Sequence, residues 1–264
     1  MPESLEPESL TVRYLGGPTA VLEIGGLRLL VDPTFDGPGE HPVGDRALTK
    51  TMAAVAGPDE VGPVDAVLLS HDQHPDNLDD GGRAYVARAP LTLSTRAAAE
   101  RLGGGVRALP NWEHTDLPRP GGTLRITGVP AQHGPDGTEH LTGPVTGFVL
   151  SGDGLPTTYV SGDNASLDVV REIAGRFAPF DVALLFAGAA RTPLLDADLT
   201  LGSAEAAEAA AILGARQVVP LHFEGWAHFS QGRDTLAEPF AGFSGGFHLL
   251  EPGGRVTLSS LDKA

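Results

Sequence analysis

The chain contains no cysteine. Disulfides, thiolate metal ligands and cysteine nucleophiles are therefore excluded, and catalysis must rest on His, Asp, Glu, Ser, Tyr, Lys or a bound metal. Cations are scarce: 18 Lys and Arg face 34 Asp and Glu, a formal charge of −16. An acidic surface of this kind repels phosphate backbones, so no long nucleic acid is expected as a partner. No apolar run approaches the roughly 18 residues of a membrane span. The opening MPESLEPESL lacks the basic start and apolar stretch of a secretory signal. A cytoplasmic protein without membrane contact is the expectation, and a homo-oligomer is left open. The Gly-x-Ser-x-Gly elbow, the P-loop and the dinucleotide fingerprint are also missing, which argues against a serine hydrolase and against nucleotide folds built on those loops.

What the chain has in quantity is punctuation. Its 35 Gly and 22 Pro are spread along 264 residues instead of gathering in a linker, and 41% of residues are hydrophobic. Many short elements around a substantial core follow from that pattern. Residues 10–15, 20–24 and 27–31 read as three strands with Gly-Gly turns between them. Further strands are expected at 64–69, 91–93, 124–129, 147–150, 157–160, 182–186 and 217–221. Helices are expected at 96–102, 166–177 and 203–213, the last with Ser203 as its N-cap. Hairpins dominate early and strand–helix alternation late, which fits two mixed sheets with helices outside. One domain over 1–264 is expected, with 1–9 as a flexible N-terminal segment. The stretches 35–61 and 134–144 read as loops that shape a pocket.

The chemistry concentrates in SHDQHPDNLDD, from Ser70 to Asp80, just after an apolar strand. His71, Asp72, His74, Asp76 and Asn77 open into a loop where side chains can converge. Imidazole and carboxylate together suit zinc, manganese or iron. Taken alone, the segment has a rival but weaker reading as a solvated polar turn. Three more ligand-type residues each follow a strand: His133 in VPAQHGP, Asp163 in YVSGDN and His222 in VVPLHF. A metal site on a sheet edge requires such a set.

In this order the segments resemble the metallo-β-lactamase superfamily, and within it the branch similar to UlaG, the L-ascorbate-6-phosphate lactonase. The opening LTVRYLGGPTAVLEIGGLRLLVDPTF, with its Asp32-Pro33 pair, resembles that branch's first hairpin. The resemblance spans residues 11 to about 229 and implies a four-layer αββα sandwich, an α/β (α+β) fold. The family pattern after its strand is His-x-His-x-Asp-His, and this chain departs from it. His71 is the favoured first ligand, one residue being inserted, with Asp72 the alternative; Asn77 stands where the family has its final His and is a poor zinc ligand.

The resemblance implies one site of His71 (or Asp72), His74 and His133. A second takes Asp76 and His222, and Asp163 bridges the two. One tight metal and a weaker or absent second are expected, zinc first, with Mn2+ or Fe2+ as alternatives. The metal would activate a water for attack on a small-molecule lactone, ester or phosphoester. Asp76 would orient that water and shuttle a proton as the catalytic carboxylate, and Asp32 would brace the ligands from behind. Trp226 and His228, in HFEGWAHF, are candidates for binding substrate, against a reading as aromatic packing. His41, His114, His140 and His248 read as structural or surface residues. The rival readings are a small-nucleotide phosphodiesterase, a metal-poor binding or regulatory protein retaining the fold, and an iron redox protein.

Overall fold

A computed structural model describes residues 9–259. Most of the N-terminal segment expected to be flexible, residues 1–8, lies outside the described residues, and Ser9 begins the first strand.

Along the chain run β1 (Ser9–Gly16), β2 (Thr19–Ile24), β3 (Leu27–Val31), β4 (Gly39–Val43), β5 (Arg46–Lys50), α1 (Pro58–Val61), β6 (Ala66–Leu68), α2 (Asp80–Val86), β7 (Thr92–Ser94), α3 (Arg96–Leu102) and β8 (Val106–Ala108). The second half holds β9 (His114–Arg119), β10 (Gly122–Ala131), α4 (Glu139–Thr142), β11 (Val145–Ser151), β12 (Thr158–Val160), α5 (Leu167–Phe177), β13 (Val182–Phe186), α6 (Ser203–Ile212), β14 (Gln217–Leu221), α7 (Arg233–Leu236), β15 (Gly246–Phe247) and β16 (Arg255–Ser259).

These strands form two seven-stranded sheets, ordered β16-β1-β2-β3-β6-β7-β8 and β15-β14-β13-β12-β11-β10-β9. Each sheet is antiparallel on one side and parallel on the other. The change falls after β3 in the first sheet and after β12 in the second. The alternation of side chains along each strand explains the layering. Leu22, Leu29 and Leu68 point into a core shared with Phe148, Leu184 and Val219 of the second sheet. Their neighbours Val21, Leu30 and Val67 point the other way, into a core with Val61, Tyr85 and Val86 of the first two helices. On the far side Val170 and Ile173 of α5 and Ala206, Ala209 and Ala210 of α6 cover the second sheet. Strand β13 is buried along its whole length, as a strand covered on both faces must be. The result is the four-layer αββα sandwich.

Helix α5 starts as its sequence dictates, with Ser166 Oγ accepting from the Val169 amide at 3.3 Å. Helix α6 differs from expectation. Gly202 is the N-cap, and Ser203 is the first helical residue. The Ser203 amide donates to Gln231 Oε1 at 2.6 Å, so a distant side chain does the capping. The stretch 35–61 also departs from a plain loop: β4 and β5 form a separate two-stranded hairpin turning at Gly44-Asp45. Its last residue pairs with the loop after β14, at Trp226.

Candidate metal centre

The loops that follow β3, β6, β10, β12 and β14 bring Asp32, the 70–77 segment, His133, Asp163 and His222 together; Asp32, His71, Asp76, His133, Asp163 and His222 are buried and His74 is half-buried. Where these strands stop, the backbone turns sharply. Asp32 and His222 have φ of 33° and 55°, a region costly for residues other than glycine, about 1–3 kcal/mol each. Gly162 takes φ of 58° beside Asp163. A side chain there would meet Thr146 O at 2.7 Å and Ser70 Cβ at 2.9 Å, so only glycine lets this turn pack on the 70–77 loop.

Two clusters result. One ligand atom each from His71, His74, His133 and Asp163, and one each from Asp76, Asp163 and His222, lie mutually within 4.8 Å. In the first, His71 Nε2 is 2.9 Å and His133 Nε2 3.2 Å from His74 Nδ1. Asp163 Oδ2 is 3.6 Å from His133 Nε2 and 4.0 Å from His71 Nε2. Donors about 2.1 Å from a tetrahedral ion stand about 3.4 Å apart, so these spacings fit the edges of a metal polyhedron. Among the described residues, Asp163 Oδ2, Asp76 Oδ1 and His222 Nδ1 are buried without a hydrogen-bond partner. Unpaired buried atoms of this kind cost free energy that a cation would recover.

The partners on the far side of the rings fix their tautomers. His133 Nδ1–H donates to Leu199 O at 2.8 Å, which leaves the Nε2 lone pair facing the cluster. Ser70 Oγ donates to Asp32 Oδ2 at 2.6 Å and accepts from His71 Nδ1 at 3.0 Å, with the same result for His71. Asp32 thus acts through Ser70, whose amide it also binds at 2.6 Å, and through Asn77 Nδ2 at 3.1 Å. Burial pushes Asp32 up to about 7 against these donated bonds. Burial likewise pushes His74 and His133 down to about 4 and His71 well below its ordinary value. These imidazoles are therefore neutral near pH 7, as ligation requires. For Asp76 burial acts upward, but His228 and His222 more than offset it and hold the carboxylate below its usual range. Burial raises Asp163. In His222 burial acts downward but is outweighed by Asp163 and Asp76, so its value rises.

Asp72, the alternative to His71, is not in the cluster. Its carboxylate pairs with Arg101, Oδ2 accepting from Nε at 2.9 Å, and points to α3. Asn77 turns its amide nitrogen to Asp163 Oδ1 at 3.1 Å. His228 reaches the site, with Nε2 3.0 Å from Asp76 Oδ2. Trp226 does not reach the cavity. It is buried beside Gly17, His41 and Lys50 and braces the hairpin. Ser161 is buried and spends its hydroxyl on Gly162 O and the Phe186 amide, so it shapes the turn. His114 and His140 are exposed.

A cavity of about 40 Å³ adjoins the site, lined by His74, Asp76, His133 and His228 and also by Arg46 of the hairpin and Arg191. Larger clefts occur elsewhere, about 330 Å³ beside α1 and about 870 Å³ beside α6, but neither is lined by His or by the carboxylates of the clusters. Chemistry therefore favours the small cavity. Ser70, Lys50, Arg46 and Arg191 carried no sequence signal. Each depends on neighbours tens of residues away.

Residues 27–223 match the family profile described as "Beta-lactamase superfamily domain". A "UPF0173 metal-dependent hydrolase" of Pyrococcus abyssi is 28% identical over 251 residues, which cover 94% of this chain and 99% of that protein. One of Opitutus terrae is 34% identical over 226 residues, covering 81% and 85%. Among solved structures, isothiocyanate hydrolase from Delia radicum gut bacteria gives a TM-score of 0.80 at 21% identity, over 95% of this chain and 100% of that one, a likeness of fold. With its profile match and these relatives, the chain belongs to the metallo-β-lactamase superfamily and is a metal-dependent hydrolase of the UPF0173 family.

Proposed function

We propose that the chain hydrolyses a small-molecule lactone, ester or phosphoester, with zinc held by His71, His74, His133 and Asp163 and a second position formed by Asp163, Asp76 and His222. The observation that carries this reading is the first donor set, three neutral imidazoles and a carboxylate spaced as one polyhedron. When bound, the metal lowers the pKa of a water toward about 7 and polarises the oxygen of the bond to be cleaved. Asp76 lines the cavity, and its buried Oδ1 has no partner among the described residues. That oxygen orients the attacking water and takes its proton. The Asp32–Ser70–His71 chain holds one imidazole in its ligating tautomer. The lactone in this list rests on the resemblance of residues 10–35 to the UlaG-like branch.

A small-nucleotide phosphodiesterase is the second reading, favoured by the guanidinium of Arg46. It lines the cavity and is bonded to a neutral partner, Thr192 Oγ1, at 2.7 Å. Arg191 on the same cavity is already paired with Asp198 at 2.7 Å.

The test is metal content by mass spectrometry on the wild type, His133→Ala and Asp163→Ala. A stoichiometric transition metal in wild type, lost in both variants, is expected, and a screen of lactones, esters, phosphoesters and cyclic nucleotides then identifies the bond. A wild type that stays metal-free after incubation with zinc, manganese or iron would overturn the proposal.

A further inference from the structure

Two arginines line the cavity beside the metal donors, and their surroundings differ. Arg191 donates from Nε to Asp198 Oδ1 at 2.7 Å, so its charge is already answered. Arg46 is the first residue of β5, just past the Gly44-Asp45 turn, and faces Val43 across the hairpin. Its Nη1 donates to a neutral hydroxyl, Thr192 Oγ1, at 2.7 Å. Among the described residues no carboxylate pairs with it, although 34 Asp and Glu outnumber 18 Lys and Arg in this chain. Glu40 on the facing strand accepts instead from Thr49 Oγ1 at 2.6 Å. The Nε–Nη2 edge of Arg46 makes no bond among the described residues. That edge carries two parallel N–H groups, the fork that takes a carboxylate or a phosphate bidentately.

The rest of the lining places this guanidinium opposite the chemistry. His133 and Asp76 are buried, whereas Arg46 is exposed at the rim. Val43, Leu48, Ala190 and Leu199 supply apolar wall. Apolar walls give affinity without direction, and orientation has to come from the few polar groups. The cavity, at about 40 Å³, is far below the roughly 300–1,000 Å³ usual for small-molecule sites. An occupant therefore extends to the rim, where Arg46 and Thr192 meet. The base of β5 is fixed, because Lys50 Nζ donates to buried Asp79 at 2.9 Å and Thr49 O accepts from the Ala227 amide at 3.0 Å. A guanidinium carried on so anchored a strand is held ready at the rim.

We propose that Arg46 is a specificity-determining residue of this hydrolase and that the substrate carries an oxyanion, a carboxylate or a phosphate, separated by an apolar stretch from the bond cleaved. On binding, the guanidinium exchanges Thr192 for that group and so fixes which end of the molecule lies at the metal donors. This rests on the hydrolase reading above and deepens it, naming a group that the substrate carries whichever bond is cleaved.

The probes are hexanoate, adipate and phosphonopentanoate, which share one methylene chain and one carboxylate and end in a methyl, a carboxylate and a phosphonate. Zinc-loaded wild type, Arg46→Ala and Thr192→Val are titrated with each by calorimetry. Wild type should bind at least one of the two-headed acids about fivefold or more tighter than hexanoate, as a charge-assisted bidentate pair allows. The larger of the two preferences tells a carboxylate substrate from a phosphate one. In Arg46→Ala the preference should vanish. Thr192→Val removes the hydroxyl and leaves the guanidinium, so it should keep the preference. If Arg46 merely tied the hairpin to the loop that carries Thr192, the two variants would behave alike. A zinc-loaded wild type without preference, or binding none of the acids, would overturn the proposal. So would a preference that survives Arg46→Ala or is lost in Thr192→Val. Protein that takes up no zinc would instead remove the hydrolase reading beneath it.

Discussion

Replacing His71 and Asp72 in turn separates two adjacent side chains with different surroundings. His71 is buried with Nε2 among the other donors. His71→Ala should reduce metal affinity by more than the 10–100-fold typical of losing an outer partner. Asp72 pairs with Arg101, whose side chain is 47% exposed. Solvent screening limits that pair to about 0–1 kcal/mol, so Asp72→Ala should keep its metal with little loss of stability. Equal metal loss in both variants would return Asp72 to the ligand set. A pH dependence follows from His74 and His133, held by burial near 4. Between about pH 6.5 and pH 4 the unfolded chain takes up protons that the folded site refuses. The stability these groups contribute is thus present above 6.5 and lost as pH falls to 4, about 3 kcal/mol for each. Asp32, pushed up to about 7, acts in the opposite sense over the same window. The imidazole effect is therefore read as the urea-midpoint difference between metal-free wild type and His74→Ala, which should shrink as pH falls; a difference that stays flat would contradict the burial argument. At this scale the sequence supplied residue types but not directions. Neighbours in a loop point opposite ways, and only through-space partners such as Arg101 and Ser70 decide which one faces the site.

The hairpin β4–β5 is joined to the metal loop by a buried ion pair. Lys50 Nζ donates to Asp79 Oδ2 at 2.9 Å, and Asp79 also accepts from the amides of Phe35, Asp36 and Gly82. Removing one partner of a buried pair typically costs 3–5 kcal/mol. Those amides still compensate Asp79, so Lys50→Ala should cost about 3 kcal/mol, at the lower end. It should also free the hairpin that carries Arg46, visible as faster proteolysis within 39–50; an unchanged cleavage rate would show that the hairpin is held by its other contacts. The elements most legible in sequence were those with a strong local pattern. Strands β13 and β14 and helix α3 match expectation at both ends. The hairpin did carry a signal, the two-residue Gly44-Asp45 turn. It was obscured because Pro42 and the largely exposed side chains of β4 give no apolar alternation. Strand β16 went unread for a related reason, since its partner β1 lies more than 240 residues away in sequence.

Across the molecule, the metal should contribute to stability as well as chemistry. Without it, Asp32, Asp76 and Asp163 share one buried volume in a chain of net charge −16. A cation that binds only the folded state adds about 2.7 kcal/mol per site at a hundred times its Kd. For a protein of this size that raises Tm by roughly 5–10 °C per site. Calorimetric scans in chelator and in zinc measure it directly, and coincident transitions would refute a folded-state site. The acidic surface bears on partners, and no helix among the described residues is long and apolar enough to cross a membrane. The sequence by itself determined that hairpins come early and strand–helix alternation late, and the strand ends where ligand-type residues stand. Both are local properties: a short apolar run stopped by polar residues is a buried strand ending at an edge. The tertiary structure alone decided that His71 and not Asp72 faces the cluster, that Asn77 ties Asp32 to Asp163, and that His228 meets Asp76 from 152 residues away. Those outcomes depend on which loops the two sheets bring to one edge, and no local pattern encodes that meeting.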